Sequence, residues 1–242
     1  MKERPILFAG DMVRAILDGR KTQTRRIMKP QPEPTPDDYT GPAGHWWPSN
    51  EVQSMVHVER ELQNLGGGWE GLAGTICPYG QPGDRLWVRE TWQGPLVSEE
   101  EMDADPSWAK DMSRYKDASH CVYRASGDSC EFVDPDGDLV SRWRPSIHMP
   151  RWASRITLEI VSVRVERLQE ISVEDARSEG VQAWIDSFKD GPIYHQNSQL
   201  DAYPVTAFSR LWQSINGDGS WDANPWVWVV EFKRIEEARA AA

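Results

Sequence analysis

The stretch Asp18-Gly19-Arg20-Lys21-Thr22-Gln23-Thr24-Arg25-Arg26 places four cations and two hydroxyls in nine residues, directly behind a short apolar segment. Met12, Ala15, Ile16 and Leu17 recur at helical spacing before it, and Asp11 is the expected N-cap, its carboxylate accepting from the free amides of the first turn. Gly19 is the expected stop, because glycine tolerates the left-handed conformation that a helix end needs. Beyond it, residues 24–28 read as extended, which sets Lys21 in a turn and Thr24 near the start of a strand, within reach of the ammonium. A threonine hydroxyl is a weak nucleophile until a neighbour takes its proton, and a desolvated or cation-crowded lysine has its pKa lowered toward that task. Arg20, Arg25 and Arg26 supply the crowding. The same pattern also suits an ordinary polar turn, with Lys and Arg complementing the helix C-terminus and Thr filling a strand.

The 242 residues suffice for a sizeable core and read as one elaborated domain. No run of about 18 apolar residues suggests a membrane span, and the N-terminus lacks a signal-peptide core, so a cytoplasmic protein is expected. Cys77, Cys121 and Cys130 show neither an even count nor C-x-x-C spacing, which argues for reduced structural thiols without a metal or a cofactor. A net charge of -11 speaks against a protein that coats a nucleic-acid duplex. The charge is uneven, however. Residues 1–30 hold eight Lys/Arg against three Asp/Glu, and residues 97–140 hold four against twelve. A small basic pocket on an acidic body suits one anionic or electron-rich small ligand, or a short single strand, although such asymmetry also arises as a plain solvated face.

Along the chain, residues 6–8 read as a first strand, and the proline-rich residues 30–82 as a long irregular excursion carrying a small hairpin strand at Val52, Val56 and Val58. Residues 85–92 form the next strand, with Arg89 and Glu90 embedded in it as a paired bridge or part of a pocket, Glu90 holding Arg25 or Arg26. Residues 94–120 and 183–203 are further insertions. The spaced Asp134, Asp136 and Asp138 lack the terminal glutamate of a calcium loop, and His195 stands alone. Ile156, Leu158, Ile160, Val161, Val163 and Val165 give the best strand signal, expected at the centre of the sheet. Ser172 and Asp175 approximate a capping box, Gly180 ends that helix, and Glu179 lies at its C-terminal end, where the dipole disfavours an anion. Val205, Phe208, Leu211, Trp212 and Ile215 mark an amphipathic helix, and residues 226–232 a closing strand, with Trp87, Trp226 and Trp228 expected along one sheet face.

Pro5 to Phe8, Met12 to Arg26, Pro82 to Trp92, Val163 to Val181 and Trp226 to Phe232 together resemble the blocks of the ASCH family, and long variants with these blocks look like proteins common in phages and prophages. The resemblance implies an α+β, PUA-like mixed β-barrel with flanking helices and long loop insertions. Some small members of that family are amidohydrolases that remove the acetyl group from N4-acetylcytidine with a Lys, a Thr and a Glu. On the G-x-K-T-x-T-x-R pattern these fall on Lys21 and Thr24, with Arg26 as the arginine and Glu179 as the glutamate. The implied roles are attack by Thr24, proton transfer by Lys21, and protonation or polarisation of the leaving amine by Glu179. Arg26 or a backbone amide near Thr24 would meet the oxyanion. The family also contains binding modules and a ribonuclease activity. In a binding module, Arg20, Arg25, Arg26, Arg89, Glu90 and Trp92 would hold a nucleoside or a short single-stranded RNA, Trp92 by stacking.

Overall fold

The computed structural model describes residues 1–49, 54–65, 71–105, 107–127, 129–133, 138–186 and 203–235. Strands β1 (Glu3–Leu7), β2 (Gln23–Ile27), β3 (Glu33–Pro34), β4 (His45–Ser49), β5 (Ser54–His57), β6 (Arg85–Arg89), β7 (Trp92–Gln93), β8 (Val122–Tyr123), β9 (Glu131–Val133), β10 (Leu139–Ser141), β11 (Thr157–Arg167) and β12 (Trp226–Ile235) alternate with helices. The helices are α1 (Gly10–Leu17), α2 (Leu72–Ile76), α3 (Glu99–Ala104), α4 (Val173–Ser178), α5 (Val181–Asp186) and α6 (Pro204–Asn216). The fold is mixed α and β.

The main sheet runs β1-β6-β11-β12-β2, so β11 is central as its branched alternation implied. A register shift between Ile160 and Ser162 marks a bulge. It explains why apolar residues run 156, 158, 160 and then 163, 165: the inserted residue, Val161, is 51% exposed, and inward parity changes across it. β1 pairs with β6 in parallel, and β2 pairs antiparallel with β12, Thr24 opposite Val230 and Arg26 opposite Trp228. The barrel expected from the resemblance is not closed. β1 and β2 share no ladder and stand as the two edges. They do approach, since the Arg26 guanidinium donates to the Leu7 carbonyl at 2.7 Å and Phe8 meets Phe232 with ring centroids 6.1 Å apart. β12, expected as the closing strand, is therefore an interior strand, and β2 stands at the edge beyond it.

Trp226 to Val230 are all buried, so β12 is covered on both faces. The second cover comes from residues 30–82. Instead of a loose excursion they form the sheet β3-β4-β5 and a π-helical turn, Val58–Leu62, and Trp47, Val56, Val58 and Leu62 join the main core. Trp47 meets Trp228 edge-on at 5.5 Å. Val52 lies outside the described residues. Helix α6 buries Ala207, Phe208, Leu211 and Trp212, each large side chain contributing about 1.5–3 kcal/mol of transfer free energy. Residues 85–92 do not form one strand: β6 stops at Arg89 and β7 turns away to pair with β8.

Among the described residues no helix is long and apolar enough to cross a membrane. The three cysteines are free, and burial pushes the thiols of Cys77 and Cys121 up to about 11.

Candidate functional site

The N-cap of α1 is Ala9, without a side-chain bond. Asp11 sits inside the first turn and pairs with Arg14, so the cap predicted at Asp11 is not made. The other end follows expectation. Gly19 adopts φ 72, and the amides of Arg20 and Lys21 fold back to the Ala15 carbonyl at 2.8 and 3.0 Å. Lys21 then forms an antiparallel bridge with Glu179, and the Thr22 amide donates to the Ser178 carbonyl at 2.9 Å. The end of α1 and the end of α4 are thereby stitched together across 158 residues of chain. Gly180 makes the approach possible: at φ 79, its Cβ would stand 2.9 Å from the Cβ atoms of Ala15 and Lys21.

The Lys21 ammonium donates to both the carboxylate and the main-chain carbonyl of Glu179, each at 2.8 Å. Both side chains are almost fully buried, at 2% and 4% exposure. Burial lowers the Lys21 pKa, with Arg26 and Arg25 adding repulsion and Glu179 opposing them. The cation-crowded lysine read from sequence is thus present, with desolvation as the larger cause. The helix-end argument for Glu179 omitted its two cationic partners, Lys21 and Arg25.

Arg25 has a wholly buried side chain that binds Glu179 at 3.3 Å and Glu166 and Asp175 at 2.9 Å each. Asp175 and Glu166 continue to Arg164, which also pairs with Glu231. Asp175 lies at the third position of α4, where its amide donates to Ser172 at 3.0 Å. Its carboxylate serves the arginines instead of returning to Ser172, so the expected capping box is half made.

Thr24 and Arg26 share the other face of β2, as period two requires. They border a cleft of about 700 Å³ that Lys21, Arg25 and Glu179 also line. That volume suits a small-molecule ligand. Phe8, Tyr79, Phe208, Leu211 and Trp212 supply apolar surface, and Lys29, Thr91, Ser146 and Asn216 polar groups. Among the described residues the Thr24 hydroxyl makes no hydrogen bond, so the Lys21–Thr24 bond anticipated from spacing is not formed. Phe8 carries two cations over its ring, Lys21 at 5.5 Å and Arg26 at 5.1 Å, both within the range of a cation–π contact.

Four of the residues assigned to binding from sequence lie elsewhere. Arg20 is exposed and pairs with Asp18 and Asp186, because residue 20 faces outward where the chain turns. Arg89 stacks 4.7 Å over Trp87 and donates to the Ile147 carbonyl, outside the cleft lining. Glu90 holds neither Arg25 nor Arg26 but receives a bidentate grip from Arg155, both bonds 2.9 Å, and burial raises its pKa. Trp92 is 1% exposed in a second core with Tyr123, Met149 and Ala153, so no base can stack on it.

The aromatic wall was missed as a site feature. Phe208 and Trp212 were legible as a helix face, yet only packing decides which of its apolar residues line a cleft. Tyr79 lay in a stretch read as irregular. Among the described residues no group of three or more His, Cys, Asp or Glu side chains could hold a metal ion. Asp134, Asp136 and His195 lie outside the described residues, and Asp138 is described without the four residues that precede it. No protein-family model, no curated protein and no solved structure matches the chain.

Proposed function

We propose that the chain is an ASCH-type protein with a PUA-like fold whose cleft takes a modified nucleoside, and that Thr24, Lys21 and Glu179 hydrolyse an amide on it, with N4-acetylcytidine as the reference substrate. The observation that carries the reading is the buried Lys21–Glu179 pair, which lines the same cleft as the unpaired hydroxyl of Thr24. A curled sheet whose edges are bridged by Arg26 supports the fold assignment.

In this mechanism the neutral amine of Lys21 accepts the Thr24 proton as Oγ1 attacks the amide carbonyl carbon. Burial makes that neutral form more accessible than in a free lysine. Collapse of the tetrahedral adduct breaks the C–N bond, and the proton on Lys21 passes to the departing exocyclic nitrogen. Glu179 orients the ammonium during the transfer. Water then attacks the threonine ester with Lys21 again taking the proton, the C–Oγ1 bond breaks as Lys21 returns that proton to Thr24 Oγ1, and the carboxylic acid leaves.

A second reading, recognition without turnover, is favoured by one feature: Lys21 gives two bonds to Glu179 and none to Thr24 among the described residues. Purified protein incubated with N4-acylated cytosines, cytidines and short RNAs, with product followed by chromatography, separates the two. Hydrolysis predicts release that falls by about 100-fold or more in Lys21→Ala and Thr24→Ala while binding persists. Saturable binding without release would leave a recognition module.

A further inference from the structure

The charges along the cleft do not balance. Glu179 is the one carboxylate among the described lining residues, against Lys21, Arg25, Arg26 and Lys29. Lys21 and Arg25 both close on Glu179, and Arg25 is further held by Glu166 and Asp175. Arg26 has no carboxylate partner among the described residues. Its Nη2 donates to the Leu7 carbonyl, its guanidinium lies over the Phe8 ring, and its Nε is buried without an acceptor. Lys29 is exposed at the same cleft and makes no ion pair among the described residues.

A guanidinium removed from water is costly unless an acceptor or counter-charge takes the water's place. Carboxylates are plentiful in a chain of net charge -11. Arg4, Arg14, Arg20, Arg114, Arg155 and Arg164 each have one. Of the two arginines that line the cleft, Arg25 is paired and Arg26 has no carboxylate among the described residues, and its desolvation is felt as a lowered pKa.

We propose that Arg26 and Lys29 form an oxyanion-binding subsite, so that the ligand of this cleft carries a phosphate or a carboxylate and is not a neutral nucleoside. The proposal rests on the nucleoside reading for the remainder of the ligand: it names an acylated cytidine nucleotide, or an acylated cytidine whose acyl chain ends in a carboxylate. Arginine offers its N–H groups as a planar fork for oxyanions, and Arg26 lines the cleft with its Nη1 bonded to no acceptor among the described residues. Lys29 adds a point charge. The oxyanion of acyl transfer cannot fill this role, because it exists only transiently and leaves Arg26 uncompensated in the resting complex. Phe8, Tyr79, Phe208 and Trp212 would take the base and sugar.

The test is titration of the full chain, arginine-labelled with nitrogen-15, by cytidine, cytidine 5′-monophosphate, N4-succinylcytidine and inorganic phosphate. Calorimetry and the Arg26 Nε–H resonance, assigned by its loss in Arg26→Lys, are read together. At least one oxyanion-bearing cytidine is expected to bind about tenfold or more tighter than cytidine. It should shift that resonance and lose most of its advantage in Lys29→Met, an exposed position whose variant folds. Preference for the monophosphate assigns a phosphate, and preference for the succinyl compound a carboxylate. Equal affinity for all three cytidines with no Arg26 shift overturns the subsite while the nucleoside reading stands. A shift with inorganic phosphate but no added affinity from any cytidine keeps the subsite and removes the nucleoside reading. No shift and no binding with any probe overturns both.

Discussion

Lys21 and Glu179 touch twice, through the ammonium's bonds to the carboxylate and to the main-chain carbonyl of the same residue. The double contact ties the lysine's position to the backbone at the end of α4, so that removing the carboxylate alone does not free it.

Glu179→Gln should leave the buried cations Lys21 and Arg25 without their shared anion. Breaking a buried pair in this way costs about 3–5 kcal/mol. Urea unfolding at neutral pH should show that loss, and the loss should shrink as pH rises and Lys21 gives up its proton. A variant as stable as the parent would mean that the pair contributes nothing.

The folded-state pKa of Lys21 lies below its ordinary 10.5. Between the folded value and 10.5 the unfolded chain binds more protons, so this group's contribution to stability rises with pH through that window. Lys21→Met should flatten the rise measured by chemical denaturation from neutral pH upward. If turnover is found, its rate should climb as Lys21 deprotonates, with a midpoint below 10.5.

Gly180→Ala combines φ 79 with a Cβ 2.9 Å from the Cβ atoms of Ala15 and Lys21. Strain of about 1–3 kcal/mol is expected. Because the displaced atoms belong to Lys21, ligand binding or turnover should fall more than in a destabilised variant remote from the cleft, such as Trp92→Ala.

Trp92→Ala should cost about 3–5 kcal/mol by emptying the second core. Trp92→Phe should cost less than Trp92→Ala, since it leaves a smaller cavity and the indole nitrogen has no partner to lose among the described residues. Nucleoside affinity of the folded fraction should be unchanged in both. A selective loss of binding would restore Trp92 to the site.

Arg155→Met strands the buried Glu90 carboxylate. Burial already raises the Glu90 pKa above its ordinary 4.5, so stability from this group falls as pH rises from 4.5 through the folded value. The variant should lose about 3 kcal/mol at neutral pH and markedly less in acid, where Glu90 is protonated. A loss equal at both pH values would show that packing of Arg155 over Tyr123, at 4.0 Å, matters more than its charge.

Local chemistry was legible wherever one element suffices to decide it. Gly19 stops α1 and the branched alternation of residues 156–165 makes the central strand, while the bulge at Val161 was not read and came from the register. Arg89, Glu90 and Trp92 were misplaced because a strand read through residue 92 ends at Arg89, after which β7 carries Trp92 into a different core. The unit of misreading was a single strand boundary.

The sequence by itself determined the periodicities, the helix stop at Gly19, the cation cluster of residues 20–26 and the excess of carboxylates over cations in the chain. Only the tertiary structure decided which of those cations meets which carboxylate. Glu179 and Lys21 are 158 positions apart, and sequence spacing carries no information on contacts across such a separation. Burial of both ends, the face of β2 that Arg25 and Arg26 each occupy, and the lack of a carboxylate beside Arg26 among the described residues all follow from how α1, α4 and the sheet pack. Desolvation and pairing are properties of that packing, and they set the chemistry that a lysine or an arginine in this stretch can do.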